Sequence, residues 1–445
     1  MPSRGLLFVL MQRLWQAVGG VVTIFLIAHT LSPDMQGWFY TFVSIASLYT
    51  LFEMGLSTAL IQVTAHLFIK VHWLSQGRFA GQNAEIFLSF FLSTIKTYFK
   101  FACAFLGVAF AVGYFVFIQK SGFVIEGREW ISPWIALLIG TTMNMMLLPF
   151  FAVIEGSGEV SEVYAIRLLQ GFLGSIFCWL VLLRGGDLWA TSMMPILGAV
   201  VSFLWLYKKR PQLLHLVLSK HPSKKFNWSQ EVWPLQWRIG LNWVSLFLMS
   251  QLCTPILFYY QNSTVAGQMG LSLTIAHMLG LLSQSWITRR VPSMSQAAAK
   301  KEWHILDDLF KKDFMRSMIV FIFGAILLLI GHKIISQSIY VNRVLDFWLF
   351  LGLLLFSFFY YVNIALAIQL RSYRKEPLVW VALLGGVLIL IATAIAAKDY
   401  SVNEVVLVMV MTQILLITPL SIYIWRNRNR QYRLNSQMHV SANTL

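Results

Sequence analysis

PLVWVALLGGVLILIATAIAA, residues Pro377–Ala397, is a run of 21 residues without an ionisable side chain. An α-helix needs about 20 apolar residues to cross a bilayer, so this run predicts a transmembrane helix. Eleven further runs of similar character occur along the chain. The predicted spans are Leu6–Leu31, Trp38–Gln62, Phe99–Ile118, Trp130–Ile154, Glu162–Leu183, Leu188–Tyr207, Val232–Tyr259, Thr264–Thr288, Phe314–Ile335, Leu345–Leu370, Pro377–Ala397 and Val402–Trp425.

The composition of the whole chain supports this interpretation. Of 445 residues, 58% are hydrophobic and 12% are charged, whereas soluble domains contain about 25% charged residues. Strands of a membrane barrel would alternate polar and apolar residues over about ten positions, and the runs here are longer and continuously apolar. The sequence therefore predicts an all-α membrane protein of about 12 transmembrane helices.

Three further features limit the possible functions. The three cysteines, Cys103, Cys178 and Cys253, lie inside predicted spans, which argues against a disulfide framework or a zinc site. No Walker, HExxH, CxxC or GxSxG motif occurs, so the recognised ATPase, zinc-protease, redox and hydrolase signatures are missing. We expect no cofactor and no enzymatic activity.

The net charge of +16 is distributed unevenly around the spans. In the predicted topology, 24 Lys and Arg residues lie on one side of the membrane and 6 on the other. The positive-inside rule explains this distribution better than nucleic-acid binding does. We predict that both termini are cytoplasmic, which agrees with an even number of spans, and that the first helix serves as an uncleaved signal-anchor.

A basic interruption at the middle of the chain divides the predicted spans into two sets of six. We predict an N-terminal lobe at 1–207, a basic cytoplasmic linker at 208–231, a C-terminal lobe at 232–428 and a disordered cytoplasmic tail at 429–445. Gly37 and Gly267 each precede an isoleucine by eight residues at corresponding places in the two halves. This weak parallel repeat favours a central cavity between the lobes, as in many transporters.

Several polar side chains lie within the spans, where a charge costs about 2.5–3.5 kcal/mol on insertion scales. Helical spacing places most of them on shared polar faces, and three arginines would make a common cavity suitable for an anion. The predicted substrate-binding residues are Arg13, Gln16, Glu53, Arg167, Gln170, Arg238, Asn242 and His277.

Each of these residues also has a purely structural interpretation. The three arginines lie near predicted helix ends, from which their long side chains can reach the headgroups. Glu53 would pair with an arginine, either for structure alone or as a response to a coupling ion. His277 is more often a packing residue than a proton relay.

The N-terminal part of the chain contains a recognisable series of segments. They lie within about the first 170 residues and are Arg13–Gly20, Leu31–Pro33, Gln36–Trp38, Glu53–Ala59, Pro149, Glu155–Gly158 and Tyr164. Together they resemble the Wzx-type oligosaccharide flippases of the MOP (multidrug/oligosaccharidyl-lipid/polysaccharide) exporter superfamily. In such flippases basic residues of the first helix line the cavity, and Arg13 stands at the matching position.

This resemblance implies two six-helix lobes around a cavity that opens alternately to each side of the bacterial inner membrane. It implies an undecaprenyl-pyrophosphate-linked oligosaccharide as substrate, in O-antigen, capsule or exopolysaccharide synthesis, and H+ or Na+ as coupling ion. Membrane lipids, a polysaccharide polymerase and chain-length regulator proteins would be its partners, without nucleic acid.

Two alternatives remain open. One is a multidrug or small-solute cation antiporter of the same superfamily. Such exporters tend to have an acidic residue in the first span, and this chain has none before Asp34. The other is a membrane-embedded polysaccharide polymerase or glycosyltransferase, against which the short predicted outer loops argue.

Overall fold

The computed structural model describes residues 4–120, 129–219, 226–335, 341–373 and 376–441. Within these ranges, 12 helical segments are long and apolar enough to cross a membrane. The predicted all-α membrane fold is therefore confirmed at the level of its spans. The chain divides into two compact units, Met1–Phe247 and Leu248–Leu445.

The N-terminal unit consists of helices and one small hairpin. Its elements are α1 (Arg4–Thr30), α2 (Pro33–Ala46), α3 (Tyr49–Glu53), α4 (Leu56–Leu67), β1 (Val71–Trp73), β2 (Phe79–Gly81), α5 (Ala84–Ile118), α6 (Ile131–Gly156), α7 (Val160–Leu183), α8 (Trp189–Lys209), α9 (Pro211–Ser219), α10 (Trp228–Glu231) and α11 (Trp233–Ser250), the last of which continues past the boundary between the units.

The C-terminal unit consists of helices joined by short turns, without a β-strand among its described residues. Its helices are α12 (Cys253–Tyr260), α13 (Ser263–Thr288), α14 (Val291–Ala299), α15 (Trp303–Ile335), α16 (Phe347–Arg371), α17 (Val379–Asp399), α18 (Val402–Met411) and α19 (Thr418–Ser441). A short π-helical segment, Thr412–Ile417, joins the last two helices.

The second predicted span is broken rather than continuous. Its helical segment comprises α2, α3 and α4, and between the last two Met54 and Gly55 have left-handed backbone conformations with φ of 44° and 65°. A Cβ atom on Gly55 would lie 2.4 Å from Ile239 and 2.5 Å from Trp243 on α11. Glycine is therefore required here both for the positive φ and for the close approach of α11.

The third predicted span is the C-terminal part of a longer helix. The 35 residues of α5 run without interruption from Ala84. Near its start, Phe87, Phe90 and Phe91 are fully buried. These buried aromatic residues pack the first turns of α5, and the helix continues from them into the predicted span.

An antiparallel hairpin lies in a region predicted to be only a basic loop. Strand β1 pairs with β2 so that Val71 lies opposite Gly81 and Trp73 opposite Phe79. Each strand has three residues, which is too short to produce a recognisable alternating pattern. The all-α class of the fold is unaffected by so short a hairpin, which the sequence analysis did not predict.

An aromatic cluster holds α2, α5 and α6 together inside the N-terminal unit. Ring centroids are 5.3 Å apart for Trp38 and Phe117, 5.0 Å for Phe42 and Trp134, and 5.3 Å for Phe117 and Trp130. All five side chains are almost completely buried. Because lipid gives no hydrophobic drive for helices to associate, such close packing is the main source of cohesion.

The boundary between the compact units differs from the predicted linker at 208–231. It falls between Phe247 and Leu248, because the first part of α11 packs against the break in the second span. Part of the predicted linker forms α9, and residues 220–225 lie outside the described ranges.

The predicted disordered tail at 429–445 begins as a helix. Helix α19 continues as far as Ser441, and residues 442–445 lie outside the described ranges. After Pro419 the sequence contains no glycine or proline, so nothing in the composition ends the helix earlier.

Candidate functional site

Helix α1 has two exposed faces of opposite character. One face is apolar and consists of side chains exposed by 45% to 66%: Leu7, Leu10, Met11, Leu14, Val18, Val21 and Phe25. At about 100° per residue, the exposed side chains of Arg13 and Gln16 project from the other side of the helix. Both residues of α1 that were predicted to bind substrate are therefore exposed in the structure.

A third face of α1 packs against α7 and fixes the orientation of the helix. The indole nitrogen of Trp15 donates to Ser175 Oγ at 3.1 Å, and that of Trp179 donates to Thr23 Oγ1 at 2.8 Å. These two bonds lie two helical turns apart on α1. In this packing the side chains of Arg13 and Gln16 remain exposed.

Arg167 forms an ion pair instead of presenting a free charge. Its Nη2 lies 2.9 Å from Glu155 Oε2, and its guanidinium lies over the ring of Tyr164 at 5.0 Å from the centroid. The Glu155 side chain is 14% exposed and that of Arg167 is 34% exposed. The pair joins the end of α6 to the start of α7 and neutralises one of the three predicted cations.

Gln170 lies between two helices. Its amide nitrogen donates to Ser202 Oγ and, at 3.3 Å, to the carbonyl oxygen of Gly198 on α8. Both acceptors belong to the face of α8 that packs against α7. In this structure Gln170 contributes to helix packing rather than to an open surface.

Glu53 is buried at the break in the second span, with 7% of its surface exposed. Its Oε1 accepts hydrogen bonds from the backbone nitrogen of Ser57 at 3.1 Å, from the Ser57 hydroxyl, and from the Tyr98 hydroxyl at 3.5 Å. The carboxylate thus stabilises the N-terminus of α4, where the helix dipole favours negative charge.

The predicted pairing of Glu53 with an arginine is not found among the described side chains. The ion-paired glutamate close to Arg167 is Glu155, because the turn between α6 and α7 brings these two residues together. The side chain of Arg238 lies outside the described part of the structure, and Asn242, one turn later on α11, is half-buried.

His277 belongs to the C-terminal unit and lies against α16. Its ring centroid is 6.3 Å from that of Tyr360, and its carbonyl oxygen accepts a hydrogen bond from the Tyr361 hydroxyl at 3.2 Å. Its Nε2 is buried without a hydrogen-bond partner among the described residues. The imidazole therefore has packing contacts and one polar atom that is unsatisfied in this conformation.

The structure thus separates the eight predicted residues into different environments. Arg13 and Gln16 share an exposed polar face, whereas Glu53 and Gln170 have hydrogen-bond partners within the N-terminal unit. Glu155 was not among the predicted site residues, although the short glycine-containing turn between α6 and α7 brings it to Arg167. Within the described ranges, no group of three or more His, Cys, Asp or Glu residues could hold a metal ion.

Comparison with solved structures identifies the architecture. A multidrug resistance MATE family transporter of the MOP superfamily in its inward-facing conformation has a TM-score of 0.66 and 13% identity, over 96% of each chain. The chain has the MATE fold. Sequence comparison adds no closer relationship, since no protein-family model and no curated protein matches the chain.

Two further structures share this architecture at low sequence identity. An outward-facing multidrug resistance MATE transporter has a TM-score of 0.56 and 9% identity, over 96% of this chain and 95% of the other. A MOP superfamily transporter from Pyrococcus furiosus has a TM-score of 0.53 and 9% identity, over 97% of this chain and 95% of the other. For that transporter, the reverse polarity of the binding pocket suggests a different function.

Proposed function

We propose that this protein is a flippase that moves an undecaprenyl-pyrophosphate-linked oligosaccharide across the bacterial inner membrane by alternating access. The repeat unit would serve O-antigen, capsule or exopolysaccharide synthesis. The single observation that carries the proposal is the exposed guanidinium of Arg13, which belongs to none of the ion pairs among the described residues.

The depth of Arg13 makes its exposure informative. It lies about 9 Å of helix from Leu7, the first residue of the candidate span. A cation at such a depth is stable when it faces water or an anionic ligand, or when its side chain reaches the headgroups. Because its face of α1 is separate from the exposed apolar face, an aqueous substrate path on the polar face is the arrangement that we favour.

The chemistry of a guanidinium suits a diphosphate. Arginine presents several N–H donors in a planar fork and can bind two phosphate oxygens at once. Gln16, one turn away on α1, adds an amide that can donate to phosphate or sugar oxygens. Arg13 would thus bind the pyrophosphate, while the lipid tail would remain in the bilayer.

Transport would couple to H+ or Na+ entry and would involve no covalent step. Glu53 and His277 are the buried titratable groups that we assign to this coupling. A polysaccharide polymerase and a chain-length regulator would receive the flipped product at the outer face.

A flipping assay in proteoliposomes tests the proposal. The full chain is reconstituted with a fluorescent undecaprenyl-pyrophosphate-linked oligosaccharide, and transfer is followed by the accessibility of the glycan to an external glycosidase. Arg13→Ala should reduce the rate about tenfold or more, the loss expected when a charge-assisted hydrogen bond is removed. Arg13→Lys should retain a substantial fraction of the rate.

Two control variants separate this effect from damage to the helix. Leu14→Ala changes the adjacent residue on the apolar face, which is 66% exposed, and Lys208→Gln removes a positive charge elsewhere. Both should flip the lipid at the wild-type rate. Equal rates for wild type and Arg13→Ala would contradict the proposed role of Arg13, and no flipping by the wild type would contradict the flippase assignment.

The multidrug antiporter is the second candidate, because two of the structures with this fold are described as multidrug transporters. A cation substrate would need an acidic contact, and α1 contains no Asp or Glu. Uptake of a fluorescent cationic drug into the same proteoliposomes, without flipping of the oligosaccharide lipid, would favour this candidate. Elongation of the glycan would instead favour the membrane-enzyme alternative.

A further inference from the structure

A cavity of about 850 Å³ opens at one end of the C-terminal unit, among α15, α16 and α19. We refer to it as the interfacial pocket. It lies near the start of α15, near the end of α16 and in the first half of α19. Its lining residues are Asp307, Phe310, Lys311, Phe314, Val362, Leu366, Gln369, Ile422, Trp425, Arg426, Asn429 and Arg430.

The outer part of the interfacial pocket is cationic. Lys311, Arg426 and Arg430 are exposed and belong to none of the ion pairs found among the described residues. Asp307, one turn before Lys311, is the acidic member of the lining. The pocket therefore carries an excess of two positive charges at its mouth.

The inner part of the pocket is apolar. Phe314, Val362, Leu366 and Ile422 lie one or more helical turns further into the spans than the charged residues do. Between the two zones, the indole nitrogen of Trp425 donates to Gln369 Oε1 at 2.7 Å. Such a tryptophan, with one apolar and one polar edge, is typical of the boundary between hydrocarbon and headgroups.

Asn429 provides an independent indication of a ligand. Only 7% of the residue is exposed, and its Oδ1 is buried without a hydrogen-bond partner among the described residues. A buried amide oxygen that lacks a donor is costly. A ligand with a hydroxyl group beside its negative charge would supply the missing hydrogen bond.

We propose that the interfacial pocket binds an anionic glycerophospholipid of the bilayer, with a phosphate and hydroxyls in its headgroup. The phosphate would lie among Lys311, Arg426 and Arg430, a headgroup hydroxyl would donate to Asn429, and the upper part of an acyl chain would cover Phe314 and Leu366. A free phosphate ion would leave the apolar wall uncovered, so the membrane lipid is the better occupant.

Native mass spectrometry of the detergent-purified full chain tests this site. The protein is incubated with phosphatidylglycerol or with phosphatidylcholine of identical chains, and the bound lipids are counted. We expect a preference for phosphatidylglycerol that the triple variant Lys311→Gln/Arg426→Gln/Arg430→Gln weakens about tenfold or more. The control triple variant Lys208→Gln/Lys209→Gln/Lys300→Gln removes the same charge from exposed positions elsewhere and should keep the preference.

Two single variants test the geometry without removing charge. Val362→Trp should fill the apolar part of the pocket and reduce retention of phosphatidylglycerol, and Asn429→Leu should reduce it through loss of the amide. Equal losses in the two triple variants would overturn the proposal, because they would show general attraction between charges. Displacement of the lipid by inorganic phosphate at equimolar concentration would overturn it too, since the pocket would then be a site for free anions.

Discussion

The backbone at Met54 and Gly55 is the most constrained point in the second span. Two successive left-handed residues end α3 and start α4, and the Glu53 carboxylate accepts hydrogen bonds from the first turn that follows. A non-glycine residue costs about 1–2 kcal/mol in this region of φ. The sequence stretch Glu53–Ala59 therefore encodes a break, although its hydropathy suggests a continuous helix.

Replacement of Gly55 tests this constraint. Gly55→Ala should destabilise the protein by about 2 kcal/mol or more, because the new Cβ would be strained in φ and would collide with Ile239 and Trp243. Gly107→Ala is the matched control, since nothing lies within 4 Å of its added Cβ in the middle of α5. It should be neutral or stabilising by about 1 kcal/mol. Thermal unfolding of the purified variants measures both changes in stability. A similar loss of stability in Gly55→Ala and Gly107→Ala would refute the idea that the backbone and the close contacts at Gly55 require glycine.

At the residue level, helix periodicity is what the sequence itself could supply. Spacing alone predicts that Arg13 and Gln16 share a face of α1, and both side chains are exposed in the structure. It could not give the partners of Glu53 and Arg167, because Tyr98 and Glu155 approach them only after helices have packed. The hydrogen bond of Gln170 to Ser202 likewise depends on the contact of α7 with α8.

At the scale of elements, the hairpin β1–β2 is held in place by Arg210. The Arg210 guanidinium lies 2.9 Å from Glu162 Oε2 and 4.7 Å from the centre of the Trp73 ring, and the Trp73 indole nitrogen donates to Ser157 Oγ at 2.8 Å. A three-residue pair of strands is not stable by itself in water. These contacts with α6, α7 and the turn after α8 supply its support.

Removal of the guanidinium should loosen the hairpin. In Arg210→Ala, trypsin should cleave after the exposed Arg78 about tenfold faster, which corresponds to about 1.4 kcal/mol of lost cation–π and ion-pair interaction. Lys209→Ala changes the exposed neighbouring residue and should not alter the rate. An unchanged cleavage rate in Arg210→Ala would mean that the hairpin does not depend on this contact.

A second charged cluster joins α15 to the segment between α13 and α14. Asp313, with 3% of its side chain exposed, lies 3.2 Å from Arg289, 2.9 Å from Arg290 and 3.0 Å from Arg316. The arginines are 40% to 53% exposed, so each pair alone is weak. The carboxylate, in contrast, is shared by all three.

This asymmetry predicts unequal effects of substitution. Asp313→Asn should destabilise the protein by about 2 kcal/mol, because it leaves three neighbouring cations without their common anion. Arg290→Gln should cost less than about 1 kcal/mol, since two arginines remain. The melting temperatures of the two variants in detergent, each compared with that of the wild type, measure these effects. Equal decreases in melting temperature would argue against a shared role of Asp313.

At the scale of the whole molecule, the distribution of charge predicts the topology. An impermeant maleimide should label Arg184→Cys, in the turn between α7 and α8, on intact cells. It should label Lys300→Cys, at the end of α14, only after permeabilisation. The background must be Cys103→Ala, because Cys103 is exposed whereas Cys178 and Cys253 are buried. The reverse labelling pattern would place the termini outside.

The spans could be predicted because hydropathy depends on composition that is local in sequence. All 12 candidate spans overlap predicted ones. The breaks at Met54–Gly55 and between α11 and α12 were not predicted, and the first of them depends on the close approach of α11 to Gly55. The boundary at Phe247 differs from the predicted linker for the same reason.

Helix α5 is longer than the hydrocarbon core is thick, so a small tilt of the helix displaces its end appreciably. Its 35 residues measure about 52 Å, whereas the hydrocarbon core is about 30 Å thick. Roughly 20 Å of helix therefore stands beyond the core, where a tilt of about 10° would displace its tip by about 4 Å. Phe87 packs against Phe79 of β2 at 4.8 Å between ring centroids, so the hairpin would be carried along with the tip. A distance probe placed on the hairpin would therefore report a larger displacement than a probe on the same span within the bilayer, for the same tilt of α5.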